Sequence, residues 1–101
     1  MEITWNELNK RSAYAKIIDI RENYLYNILK IKNSENIPYQ FLIFNPDDYL
    51  NKDEEYYILC EFGHKSKLVS DILNKNGFHT HNIVGGINEY EKIIQKNEKK
   101  L

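Results

Sequence analysis

Cys60-Glu61-Phe62-Gly63-His64-Lys65-Ser66 is the segment of this chain whose residue types and spacing could do chemistry. It follows the apolar stretch Tyr56-Tyr57-Ile58-Leu59 and leads into a helical pattern, so Cys60 falls where a buried strand ends and a helix begins. At such a junction the N–H groups of the turn and of the first helical residues converge, and the helix dipole adds partial positive charge. A thiol held there is biased toward thiolate, the form that attacks electrophilic sulfur. Cys60 is the only cysteine in 101 residues. That rules out an intrachain disulfide framework, and it means any turnover needs an external acceptor. A lone cysteine is commonly an inert core residue, but the strand-end position, Gly63 and Lys65 favour a reactive role here.

The elements that must position this thiol can be read from local pattern. Thr4-Trp5-Asn6-Glu7 has the spacing of a capping box, which predicts a short helix from Trp5 to about Arg11. Tyr14 to Ile20 is mostly apolar with β-branched residues, as in a strand buried on both faces. A helix is expected over Glu22 to Ile31, with Tyr24, Ile28 and Ile31 at helical spacing, and a loop over Lys32 to Asn36. Gln40 to Phe44 reads as a second short strand, and Asn45-Pro46-Asp47 as the cap and start of a one- or two-turn helix. After the Cys60 strand, Lys65 to Asn76 carries Leu68, Val69, Ile72 and Leu73 on one face, and Gly77 follows as a left-handed cap. His79 to Val84 is a strand, Gly85-Gly86 a tight turn, and Ile87 to Lys96 a closing helix, with Asn97 to Lys100 a polar end. Strands alternating with helices predict one α/β domain over residues 1–101, built on a small parallel sheet of about five strands with helices on both faces. Ligands of such sheets bind beyond the carboxyl ends of the strands, where Cys60 lies.

Composition narrows the partners. The chain is 42% hydrophobic and 29% charged with a formal charge of −1, so no global field recruits nucleic acid or an anionic membrane. Its eight tyrosines are scattered rather than interleaved with a basic patch. No apolar run approaches the roughly 20 residues of a membrane span, and Met1-Glu2-Ile3-Thr4-Trp5 has no signal-segment pattern. With a single cysteine, a reducing compartment is expected, the cytoplasm by default. Cys60, His64, His79 and His81 match no closed zinc spacing, and Gly85-Gly86 sits in no phosphate-binding motif. No metal or cofactor is therefore expected.

Four segments, in order, resemble a single-domain rhodanese. Ile17-Ile18-Asp19-Ile20-Arg21-Glu22 resembles the family's hydrophobic-Asp-hydrophobic-Arg segment, and Asn36-Ile37-Pro38 its His-Ile-Pro stretch. Cys60 to Ser66 resembles the active-site loop, with Gly three residues and a basic residue five residues after the Cys. Asn74 to Phe78 and Val84-Gly85-Gly86-Ile87 resemble the family's ending. The resemblance implies a sulfurtransferase in which Cys60 takes the outer sulfur of thiosulfate or another persulfide or thiol donor as a persulfide. It then passes that sulfur to a thiol, cyanide, a thioredoxin-like protein or a sulfur-carrier protein. The amides of Glu61, Phe62, Gly63, His64, Lys65 and Ser66 would surround the sulfur. Lys65 would attract an anionic donor, Ser66 would help cap the helix, and Asp19 and Arg21 would hold the neighbouring strand end.

Asn36 and Tyr39 depart from the family's usual His and Gly. Glu61 puts a carboxylate beside the thiol, which argues for weak thiosulfate activity. A phosphatase or arsenate reductase is disfavoured because Ser66 stands where such enzymes need arginine. A non-catalytic protein-binding or thiol-sensing module is the remaining alternative.

Overall fold

The computed structural model describes residues 1–11 and 14–99. Within them the chain runs β1 (Glu2–Ile3), α1 (Trp5–Asn9), β2 (Lys16–Asp19), α2 (Asn23–Ile28), β3 (Glu35–Asn36) and α3 (Tyr39–Phe44). A 3-10 turn (Pro46–Asp48), β4 (Glu55–Leu59), α4 (His64–Lys75), β5 (His79–Ile83) and α5 (Gly86–Lys99) complete it. The strands form a five-stranded sheet in the order β1-β5-β4-β2-β3, with every pairing parallel.

The central strand β4 shows why this sequence makes a two-sided sheet. Successive side chains of a strand point to opposite faces. Tyr56, Ile58 and Cys60 join Val69 and Leu73 of α4, Leu42 of α3 and Phe78 in one core. Tyr57 and Leu59 join Trp5 and Leu8 of α1 and Ile87 of α5 in the other. Both faces are covered from Tyr56 onward, so β4 is apolar after its exposed first residue, Glu55, as parallel strands generally are. Its register pairs Asp19 of β2 with Leu59 and Asn82 of β5 with Ile58, which brings the ends of three strands level with Cys60.

The capping box forms as expected: the Glu7 N–H donates to Thr4 Oγ1 at 3.1 Å, and the Thr4 N–H to Glu7 Oε1 at 3.1 Å. The Thr4 N–H and hydroxyl, both donating to Glu7 Oε1, hold the Glu7 carboxyl below its ordinary value. Gly77 takes the left-handed conformation, φ 91°, and Phe78 returns to the core with its N–H on the Leu73 carbonyl.

Several expectations are corrected. Gln40 to Phe44 is not a strand but the helix α3, entered after Pro38, whose carbonyl accepts from the Phe41 and Leu42 amides. Only Leu42 of that apolar run is fully buried, while Phe41 and Phe44 face solvent. Two strands went unforeseen, β1 and β3, each two residues long and defined by pairing alone. Tyr24 and Ile28 do not form a buried face, since both are exposed; α2 and its exit pack instead through Leu25, Leu29 and Ile31. Asn45 precedes the 3-10 turn without a side-chain cap bond. Helix α5 continues through Lys99, beyond the expected Lys96, and Lys100 lies outside the described residues.

Candidate active site

The chain leaves β2 toward β3 on one side and β4 toward β5 on the other, so the connections diverge between the neighbouring strands β2 and β4. A crevice is expected at such a switch point, beyond the carboxyl ends of the strands. A cavity of about 280 Å³ lies there, lined by Ile20, Arg21 and Glu22 after β2 and by Cys60, Glu61, Phe62, His64 and Lys65 after β4, with Leu25 and Tyr39. A larger recess of about 680 Å³ sits elsewhere, around Lys16, Glu35, Asp47 and Glu54, with no thiol in it.

Cys60 closes the base of the smaller cavity. The residue is only 5% exposed, less open than the sequence suggested. The surrounding donors are nonetheless aimed at it: the Gly63 N–H donates to Sγ at 3.1 Å and the Ser66 N–H at 3.3 Å. Ser66 is the third residue of the twelve-residue α4, so a helix N-terminal amide that would otherwise be orphaned is satisfied by sulfur. Contrary to expectation, Ser66 does not cap the helix. Its hydroxyl lies 3.1 Å from Sγ, accepts the thiol S–H, and donates to Asn82 Oδ1.

Two glycines make this loop possible. Gly63 occupies the N-cap at φ 91°, and a Cβ there would fall 2.8 Å from the Gly85 nitrogen. At Gly86 a Cβ would fall 2.3 Å from the Cys60 carbonyl oxygen. That close approach lets the Ile87 N–H bond the Cys60 carbonyl at 3.0 Å and the Asn88 N–H bond that of Glu61 at 2.9 Å. The start of α5 thus clamps the backbone on which the thiol stands.

Asp19 and Arg21 form a buried pair at the end of β2. Arg21 Nη2 lies 2.8 Å from Asp19 Oδ2, Nε lies 3.1 Å from both carboxylate oxygens, and Nη2 also donates to the Leu29 carbonyl. Burial works against the Arg21 charge, but the Asp19 and Glu61 carboxylates together more than offset it, and the guanidinium is held protonated above its ordinary value. Asn36 adds the bracing this turn needs, donating at 2.9 Å to the carbonyls of both Asp19 and Arg21.

The rim is less cationic than its residue list suggests. Glu61 leans to Arg21 Nη1 at 3.5 Å, and Lys65 Nζ sits 4.2 Å above the Tyr39 ring. Phe62 and His64 are exposed lining residues. Five of the seven loop residues, Cys60, Glu61, Phe62, His64 and Lys65, therefore line one opening, while Gly63 and Ser66 are buried and are the two whose amides bond the sulfur. Sequence reasoning missed Leu25, Tyr39 and Asn82 as parts of the site. For Asn82 a signal existed, because a polar side chain inside a strand buried on both faces needs a partner. Among the described residues, no group of three or more His, Cys, Asp or Glu is placed to hold a metal ion, and no helix is long and apolar enough to cross a membrane.

Comparison with known proteins matches this arrangement to the Rhodanese-like domain over residues 4–93. A crystal structure of a Rhodanese-like domain protein from Staphylococcus aureus superposes with a TM-score of 0.76 at 33% identity, covering 87% of this chain and 89% of that one. A protein from Staphylococcus saprophyticus subsp. saprophyticus gives 0.79 at 32% identity, covering 88% and 91%. The protein of Ogataea parapolymorpha named adenylyltransferase and sulfurtransferase uba4 is 28% identical over 89 residues, which are 87% of this chain and 22% of that protein. The chain spans between 19% and 27% of the length of the curated relatives it matches. Spanning the sheet, the thiol loop and the Gly-Gly turn alike, these matches establish that the chain belongs to the rhodanese-like domain family.

Proposed function

We propose that this protein is a sulfurtransferase that works through a persulfide on Cys60. The observation that carries the reading is the convergence of the Gly63 and Ser66 N–H groups on Sγ at the base of a cavity. The Cys60 thiolate attacks the outer sulfur of the donor, a sulfur–sulfur bond breaks, and the donor's remainder leaves (sulfite from thiosulfate, a thiolate from an organic persulfide). An acceptor nucleophile then attacks the outer sulfur of the Cys60 persulfide and releases the thiolate. Splitting the transfer lets one site serve two reactions. The two amides and the α4 dipole stabilise the negative sulfur at each stage, while Asp19 and Arg21 hold the wall opposite.

The rim favours an organic or protein-borne persulfide over thiosulfate. Arg21 and Lys65 are matched by Glu22 and Glu61, and both cations are already engaged, Arg21 by Asp19 and Glu61 and Lys65 by the Tyr39 ring. A dianion gains little from such a rim, whereas Ile20, Leu25, Tyr39 and Phe62 offer apolar contact to a carbon-bearing donor. Thiols, cyanide, or a thioredoxin-like or sulfur-carrier protein fit as acceptors. The relative named a sulfurtransferase is consistent with this chemistry.

Thiocyanate formed from cyanide with either thiosulfate or a small alkyl persulfide tests the proposal. The persulfide should be the faster donor, and Cys60→Ser should abolish both rates; turnover that survives this substitution refutes the mechanism. The low exposure of Cys60 favours a second reading, a thiol-sensing or protein-binding module without turnover. Intact mass after persulfide treatment separates the two. A gain of one sulfur that cyanide removes supports transfer, and an unchanged mass supports the module.

A further inference from the structure

Asn82 has no role in the transfer just described, yet it is 2% exposed and bonded to Ser66 beside the reacting sulfur. Its position is fixed from the edge of the sheet. Its N–H donates to the Met1 carbonyl at 2.9 Å, and its Nδ2 donates to Glu2 Oε2 at 3.3 Å. A carboxylate only accepts, so the Glu2 contact orients the amide with Nδ2 outward and Oδ1 toward Ser66. An amide oxygen also only accepts, and Ser66 has a single hydroxyl proton. That proton is therefore committed to Asn82.

The consequence falls on Cys60. With its proton directed away, Ser66 Oγ turns lone pairs toward Sγ at 3.1 Å. A neutral thiol suits this arrangement, since its S–H can donate to the oxygen. A thiolate does not: it keeps the two backbone donors but faces an oxygen lone pair instead of a third.

We propose that Asn82 is a positioning residue that restrains ionisation of Cys60 by holding the Ser66 hydroxyl proton away from the sulfur. Rotation of that hydroxyl from Asn82 to Sγ would supply the missing donor, and Asn82 opposes the rotation. The idea rests on reading Cys60 as the reacting atom, though not on the identity of the sulfur donor. Glu2, at the surface on β1, acts at one remove by keeping the amide turned.

Ultraviolet thiolate absorbance against pH tests this. Tyr39, Arg21, Glu22, Glu61, His64 and Lys65, which face the same cavity, are left intact in every variant. Asn82→Leu keeps the number and branching of the side-chain heavy atoms and removes the acceptor, so the acid dissociation constant of Cys60 should rise about ten-fold, the worth of one hydrogen bond to a charged group. Adding Ser66→Ala should cancel that rise, which a merely structural role for Asn82 would not produce. Glu2→Ala, a surface change, lets the amide turn over and should shift the profile the same way by about two-fold, less than loss of the acceptor.

A profile that stays put or moves to higher pH in folded Asn82→Leu overturns the proposal. So does a gain that persists without the Ser66 hydroxyl. Should Asn82→Leu fail to fold, Glu2→Ala alone decides, and an unmoved profile then overturns it. Shifted profiles without thiocyanate formation would refute sulfur transfer and leave the role of Asn82 standing.

Discussion

At the carboxyl ends of β2 and β4, Arg21 and Asp19 pair with side chains 5% and 0% exposed; toward the amino ends of the same strands, Lys16 and Glu54 meet at 2.6 Å with 52% and 41% exposed. Distance alone ranks the second pair higher. Water reverses the ranking, because an exposed pair is screened and gains little, whereas a buried pair with its hydrogen bonds satisfied cannot lose one partner without stranding the other. The amino end adds His81, whose Nε2 lies 2.7 Å from Glu55 and whose ring stacks on Tyr57 at 5.1 Å. There the His81 side chain is 10% exposed and its Glu55 partner 58%, so that pair is open to water on one side. The opposite end fixes a wall of the cavity in which Cys60 lies, and the comparison teaches that the buried, fully bonded pair stands on the side of the proposed site.

The largest effect belongs to Cys60→Ser, which should reduce sulfur transfer to background while lowering Tm by about 5 °C or less, since the seryl oxygen meets the same two amides. A large loss of Tm would mean that the thiol is chiefly a packing residue. Next comes Arg21→Ala. It leaves the Asp19 carboxylate buried and unpaired, and should cost about 3–5 kcal/mol in urea unfolding. A cost under about 1 kcal/mol would erase the contrast between the two ends.

Gly63→Ala should cost about 1–3 kcal/mol for its left-handed backbone, and should depress transfer more than stability by moving the Gly63 amide off Sγ. Transfer at parental rates would show that this amide is dispensable.

The smallest change is Glu55→Gln, about 0.5 kcal/mol near neutrality. His81 bonds Glu55 and holds its carboxyl below the ordinary value. The stabilisation is thus full above the usual carboxylate range and is lost as pH falls through the depressed value. Parent and variant should converge in acid, and a difference that persists there would assign the effect to something other than this contact.

Legibility in the sequence followed the range of each interaction. The capping box at Thr4 and Glu7, the left-handed Gly77 and the Gly85-Gly86 turn are local devices, and all three stand where pattern put them. Phe41-Leu42-Ile43-Phe44 misled because a short apolar run fits strand and helix equally, and only the burial of Leu42 in the core, with Phe41 and Phe44 left facing solvent, tells them apart. β1 and β3 have no pattern to read, because two residues become a strand only when a neighbour pairs with them. At the candidate site, the thiol and the order of its loop were plain from spacing. The diversion of Lys65 onto Tyr39 was not, nor was the bond from Ser66 to Asn82, sixteen residues away, because each depends on what the fold brings alongside.

Trp5 is the one tryptophan in the chain, and its Nε1–H donates to the Gly86 carbonyl at 2.9 Å, immediately before the amide that holds Cys60. Its indole fluorescence is therefore wired to the backbone beneath the sulfur. If the proposed persulfide forms on Cys60, its loading should change native emission, with no label attached.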